Sequence, residues 1–210
     1  MERLHWYHEK EEKINIQTHA LGILLSGIGL FLLILKSIDY QFDEALSLVI
    51  YGISQILIFS SSTYYHSCTI PQKRYVANIV DHAMIYVSIA GTYTPFCVIS
   101  LQKNGGGSLL ILVWIFAIIG ILLKLKFTGK YNLLSTIIYV IMGWLVVFYG
   151  KSFLENIPLN GIILLVAGGI VYTLGAIFYL IQKFPYNHAV FHVFILIASI
   201  LHFLAIYLYT

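Results

Sequence analysis

Residues 187–203 read NHAVFHVFILIASILHF, a run of hydrocarbon side chains with three histidines set into it, and no charge follows as far as Thr210. About 20 apolar residues at 1.5 Å rise each span the hydrocarbon core of a bilayer, so this stretch is long enough to cross as a helix. Imidazole is costly in such a place. The stretch therefore raises two points at once: the chain lives in a membrane, and His188 and His192, four residues apart, need a reason to be there.

The rest of the chain repeats the pattern. Of 210 residues, 60% are apolar and only 10% charged, with mean hydropathy +0.87, which excludes an ordinary soluble domain. Seven stretches qualify as spans, roughly 18–35, 46–66, 79–100, 108–123, 132–150, 159–181 and 188–209. The expected fold is an all-α seven-transmembrane-helix bundle over residues 18–210, behind an amino-terminal tail of residues 1–17. The tail opens MERLHWYHEKEEK, too charged for a signal peptide. Seven spans divide the twelve Lys and Arg nine to three. Arg3, Lys10, Lys13, Lys73, Arg74, Lys124, Lys126, Lys130 and Lys183 fall on one side, and Lys36, Lys103 and Lys151 on the other. The positive-inside rule then makes the amino terminus cytoplasmic and the carboxy terminus external.

Several function classes drop out. Cys68 and Cys97 belong to opposite ends of the membrane, about 30 Å apart, which is beyond disulfide reach. Gly105–Gly107 lacks the lysine and hydroxyl of a phosphate loop and reads as a tight external turn. The scattered basic residues make no nucleic-acid surface. Pro95 should bend the third span near its outer end. Gly22/Ser26 and Gly169/Thr173 have the spacing of close helix contacts. Without an internal repeat or a lengthwise polar stripe, neither an inverted-repeat transporter nor an open channel is indicated. Short loops predict sequential helices packed as neighbours.

Topology brings the polar residues together. The second span ends inside with SSSTYYH, residues 60–66; the third starts there with Asp81 and His82; the seventh starts there with His188 and His192; the first brings Asn15, Thr18 and His19. Residues i and i+4 share a helix face. His188 and His192 can therefore present two imidazoles to one point, and Ser62 shares a face with His66. Three nitrogens, from His66, His188 and His192, plus a water make the usual catalytic zinc site. Asp81 would hold or deprotonate that water, with Ser62 hydrogen-bonded nearby. Copper, nickel or iron would suit the same nitrogens, so Zn2+ is an inference from chemistry.

Blander readings stand beside these. Asp81 also suits the first turn of a helix at the interface, and Ser62 also suits a bond to the carbonyl four residues back. His202 lies ten residues past His192, about 15 Å further along the helix, and reads as an interior hydrogen-bonding residue. His19 has the right depth but no partner at ligand spacing, which favours support over ligation. His82 reads as packing, while His5 and His8 sit in the polar tail.

The stretches EEKINIQTHALG, SSSTYYH, DHAMIYVSIAGTYTPF and HAVFHVFILIASILHF resemble, in order, the motifs of the hemolysin III family, which belongs with the progestin and adipoQ receptors. The resemblance runs from the first span to the seventh. It implies seven helices with a cytoplasmic amino terminus and a zinc ion on His66, His188 and His192, with Asp81 and Ser62 near the metal-bound water. It also implies a multi-pass protein of the bacterial plasma membrane. Related families in the wider group are membrane hydrolases of lipid amides or esters, ceramides included; eukaryotic members are discussed as receptors, and the bacterial name reports red-cell lysis. Ala189 departs from the pattern, since an acidic residue is expected there. The expected partner is membrane lipid, with an acyl amide as substrate. The alternatives are a non-enzymatic regulator or lipid sensor with structural zinc, and a cytolytic membrane protein.

Overall fold

His8 opens the first helix: its Nδ1 accepts from the Lys10 N–H at 3.3 Å, and Glu9, Glu11 and Glu12 fill the first turn, where the helix dipole favours acids. The computed structural model describes residues 6–128, 130–181 and 184–210, so Arg3, His5 and Lys183 lie outside the described residues. The helices are α1 (Glu9–Lys36), α2 (Phe42–Ser67), α3 (Pro71–Pro95), α4 (Gly106–Phe127), α5 (Asn132–Gly143), α6 (Gly150–Asn156), α7 (Leu159–Leu180) and α8 (Asn187–Tyr209). No strand occurs among the described residues. With α5 and α6 taken as one span, seven segments are long and apolar enough to cross a membrane. Exposed side chains such as Leu24, Phe31, Ile111 and Phe148 are the surface lipid would cover.

Local chemistry sets the boundaries. The Gln41 N–H donates to Glu44 Oε2 at 3.1 Å, one half of a capping box at the start of α2. Pro71 occupies the first turn of α3, where its missing N–H costs nothing. Pro95 ends the regular part of α3, and Phe96–Ser100 continue as a π-helical turn closed by the Leu101 N–H on the Phe96 carbonyl at 2.9 Å. Gly105, at φ 87°, makes the left-handed turn into α4 that the glycine run predicts.

The fifth span differs from its expected single helix. It breaks after Gly143, passes through a 3-10 turn at Leu145–Tyr149 and resumes as α6. Backbone groups freed by such a break must be satisfied inside the protein. Tyr93 of α3 does this: its hydroxyl donates to the Gly143 carbonyl at 2.7 Å and accepts from the Val146 N–H at 3.0 Å. The Trp144 Nε1–H, in turn, donates to Thr173 Oγ1 of α7 at 3.0 Å.

Neighbours in sequence pack together from α1 to α4, and α7 packs on α8. Gly22 of α1 lets the Phe59 ring of α2 lie where a Cβ would otherwise be. Helix α8 closes on α1, while α5 leans on α3 and α7 rather than on α4 as short loops suggest. Lys36, at the end of α1, donates to the carbonyls of Ile206, Tyr207 and Thr210 at 3.3, 2.9 and 2.8 Å, capping the carboxy-terminal end of α8. Both cysteines are free, as expected, and both are buried. Lys124 corrects the charge reading. It belongs to the last turn of α4 and is 3% exposed, because α4 runs past residue 123, where its hydrophobic stretch was expected to end. A cavity of about 500 Å³ is left among α2, α3, α4, α5, α7 and α8.

Candidate metal centre

Two helix ends build the centre. His66 occupies the last turn of α2, and His188 and His192 occupy the first two turns of α8; all three side chains are buried. One nitrogen of each lies within 4.8 Å of the others. His188 Nε2 stands 3.2 Å from His66 Nε2 and 3.0 Å from His192 Nε2. Tetrahedral zinc with bonds of 2.0–2.1 Å would put ligand nitrogens about 3.3 Å apart. The two pairs that share His188 thus already stand at nearly the spacing a small tetrahedral ion requires.

What holds them comes from α1. Glu12 Oε2 lies 2.6 Å from His66 Nδ1, so the carboxylate accepts the Nδ1–H hydrogen bond, which keeps the proton on Nδ1 and leaves the Nε2 lone pair for the centre. The other oxygen of Glu12 pairs with Arg74 Nη2. Arg74 is only 1% exposed, donates to the Tyr65 and Cys68 carbonyls, each at 3.3 Å, and lies against the Trp6 and Tyr65 rings. Glu11 Oε1 accepts the backbone N–H of His188 at 3.2 Å, an acid at the amino-terminal end of α8. Asn15 Nδ2 stands 3.4 Å from His66 Nδ1. The first turns of α1 therefore fix both ligand helices.

Rings cover the cluster. Tyr7 stacks on His188 at 4.3 Å between centroids, and His19 stacks on His192 at 3.7 Å. Burial, helped by the neighbouring Tyr179 and Tyr65, pushes the Tyr7 phenol well above its ordinary range and keeps it neutral. His19 is outside the ligand trio but in contact with it, and among the described residues neither of its ring nitrogens has a hydrogen-bond partner.

The remaining residues expected at the site gather at the cavity. Ser62 lies beside the Asp81 carboxyl, and both line the cavity wall together with His188 and His192. His82 sits apart from the trio: its Nδ1 is 2.8 Å from the Asn78 carbonyl and its Nε2 3.5 Å from the Tyr179 hydroxyl. His202 Nε2 donates to the Leu165 carbonyl at 3.1 Å, the interior role expected of it. Sequence reasoning missed Tyr7, Glu11, Glu12, Arg74 and Lys124. A signal for Glu12 was present, because Glu12, Asn15 and His19 recur at i, i+3 and i+7 on one face of α1.

The profile of the haemolysin-III related family matches residues 7–203. A protein named hemolysin-3 from Bacillus cereus is 41% identical over 201 residues, covering 95% of this chain and 92% of the relative. The hemolysin-3 homolog of Bacillus subtilis (strain 168) is 40% identical over 201 residues, covering 95% and 94%. The human monocyte to macrophage differentiation factor is 27% identical over 207 residues, covering 95% and 84%.

Proposed function

The chain belongs to the haemolysin-III related family and is a multi-pass integral membrane protein, and we propose that it is a zinc-dependent hydrolase of lipid amide bonds. The bacterial relatives are in keeping with a plasma-membrane location, and the charge distribution favours placing the centre in the cytoplasmic leaflet. The observation that carries this reading is the convergence of three buried Nε2 atoms at the edge of a large cavity, with one imidazole oriented by a carboxylate.

When bound, zinc supplies Lewis acidity and lowers the pKa of a coordinated water towards neutrality. The chain's own residues do the rest. Glu12 holds the His66 ring in its ligating tautomer. Asp81 is the general base: it takes a proton from the attacking water and passes it to the departing nitrogen as the C–N bond breaks. Ser62, beside Asp81, orients that carboxylate. The cavity walls, including Ile85, Ile89, Phe191 and Ile195, hold the acyl chain and exclude bulk water.

A second reading makes the metal a structural tie between α2 and α8. The Tyr7 ring lying over His188 favours it, since a closed site suits structure better than turnover. The two readings separate in one assay. Purified zinc-loaded protein in lipid nanodiscs is supplied with N-acyl lipids and released fatty acid is measured by mass spectrometry. The hydrolase releases acid, and Asp81→Asn lowers the rate at least about a hundredfold with zinc retained. No release from any N-acyl lipid with full zinc content leaves the structural tie.

A further inference from the structure

Lys124 is the buried charge this mechanism leaves unused. It lines the same cavity as Asp81, His188 and His192, and is 3% exposed. Among the described residues its ammonium makes neither a hydrogen bond nor an ion pair. The Tyr139 ring lies 5.9 Å away, and Asp81 acts on it only through charge. An ammonium has three donors, and burying it without hydrogen-bond acceptors is costly. Long lysines on membrane helices usually escape that cost by reaching water, whereas the Lys124 side chain is enclosed by protein.

Neighbouring hydroxyls do not fill its needs. Thr128 Oγ1 donates to the Lys124 carbonyl, Ser135 Oγ to the Tyr131 carbonyl at 3.0 Å, and Thr136 Oγ1 to the Asn132 carbonyl at 2.9 Å. None of these oxygens accepts from the ammonium, and their protons, spent on backbone, are not offered to a ligand acid; among the described residues Lys124 is the cation this part of the wall presents to one. The cavity, at about 500 Å³, is of the size that holds a small ligand.

We infer that Lys124 binds an acidic head group, carboxylate or phosphate, so that the lipid amide taken by the cavity is an acidic N-acyl lipid rather than a neutral one. This rests on the hydrolase reading for the amide, but the binding of the acid stands by itself. The acyl chain lies along the apolar walls, the amide near the histidine trio, and the acid on the ammonium, which Asp81 balances when the cavity is free of ligand.

N-palmitoylglycine and N-palmitoylethanolamine share one acyl amide and differ in the acid, and the phosphate ester of the second supplies the other acid. Each is titrated against a fluorescent acyl probe bound to zinc-loaded protein in nanodiscs, with palmitate release measured in the same samples. The expected result is at least about tenfold tighter binding of one acid than of the neutral amide, the scale of a charge-assisted hydrogen bond. The tighter acid tells whether carboxylate or phosphate is preferred. Lys124→Met abolishes the preference, and Lys124→Arg, which keeps the charge should the Met variant misfold, retains it. Equal binding of the three lipids by the wild-type protein overturns the inference. Selective binding without palmitate release keeps it and removes the hydrolase reading; release without selectivity does the reverse.

Discussion

Glu12→Gln is the most informative single change, because it alters charge while keeping size. In the native protein one oxygen of Glu12 accepts from His66 Nδ1–H at 2.6 Å and the other meets Arg74. The glutamine can still accept from one of them, but not as an anion from both. Loss of the partner that orients a metal-bound histidine typically lowers affinity roughly 10–100-fold. At 1.36 kcal/mol per decade, that is about 1.4–2.7 kcal/mol. Arg74 is left with less compensation, and stranding a buried charge costs about 3–5 kcal/mol when nothing else holds it. Two carbonyls and two aromatic rings hold this one, so the stability loss should fall below that range. Zinc affinity is read by competition with a graded set of chelators, and stability by thermal unfolding in detergent with and without zinc. Glu12→Gln/Arg74→Met should recover stability and leave zinc weak. Zinc affinity in Glu12→Gln within twofold of wild type would refute the reasoning.

The remaining expectations concern the frame. Tyr93→Phe removes the hydroxyl that bridges the break between Gly143 and Val146, and should cost about 2 kcal/mol, seen as a lowered unfolding midpoint; an unchanged midpoint would mean that other groups satisfy the break. Lys36→Met uncaps the carbonyls of Ile206, Tyr207 and Thr210, and should cost about 1 kcal/mol and raise hydrogen exchange in the last turn of α8 while zinc content holds. Protection in that turn equal to wild type would count against the cap.

Hydropathy exposes what is uniform along a helix and misses what is paired. All seven spans were legible, since each buries or presents apolar side chains for its full length. The break in the fifth was not, because it depends on a tyrosine from another helix. The start of α1 was also hidden: Glu11 and Glu12 look like a tail until α8, His66 and Arg74 arrive as their partners. Lys124 misled for a related reason, since counting basic residues assigns each to a loop and cannot see one that ends inside the bundle. The histidine trio was legible because i, i+4 spacing survives any packing and because topology fixes depth. Whether His19 would ligate or stack beside the trio needed the packing of α1 against α8.

The account rests on a metal at His66, His188 and His192, and elemental mass spectrometry of the purified protein tests it most directly. Wild type is compared with His188→Ala/His192→Ala, with folding of both checked by circular dichroism and gel filtration. The account predicts about one zinc per wild-type chain and none in the folded double variant. A wild-type protein that stays metal-free after zinc is supplied, or a double variant that keeps its zinc, would contradict it.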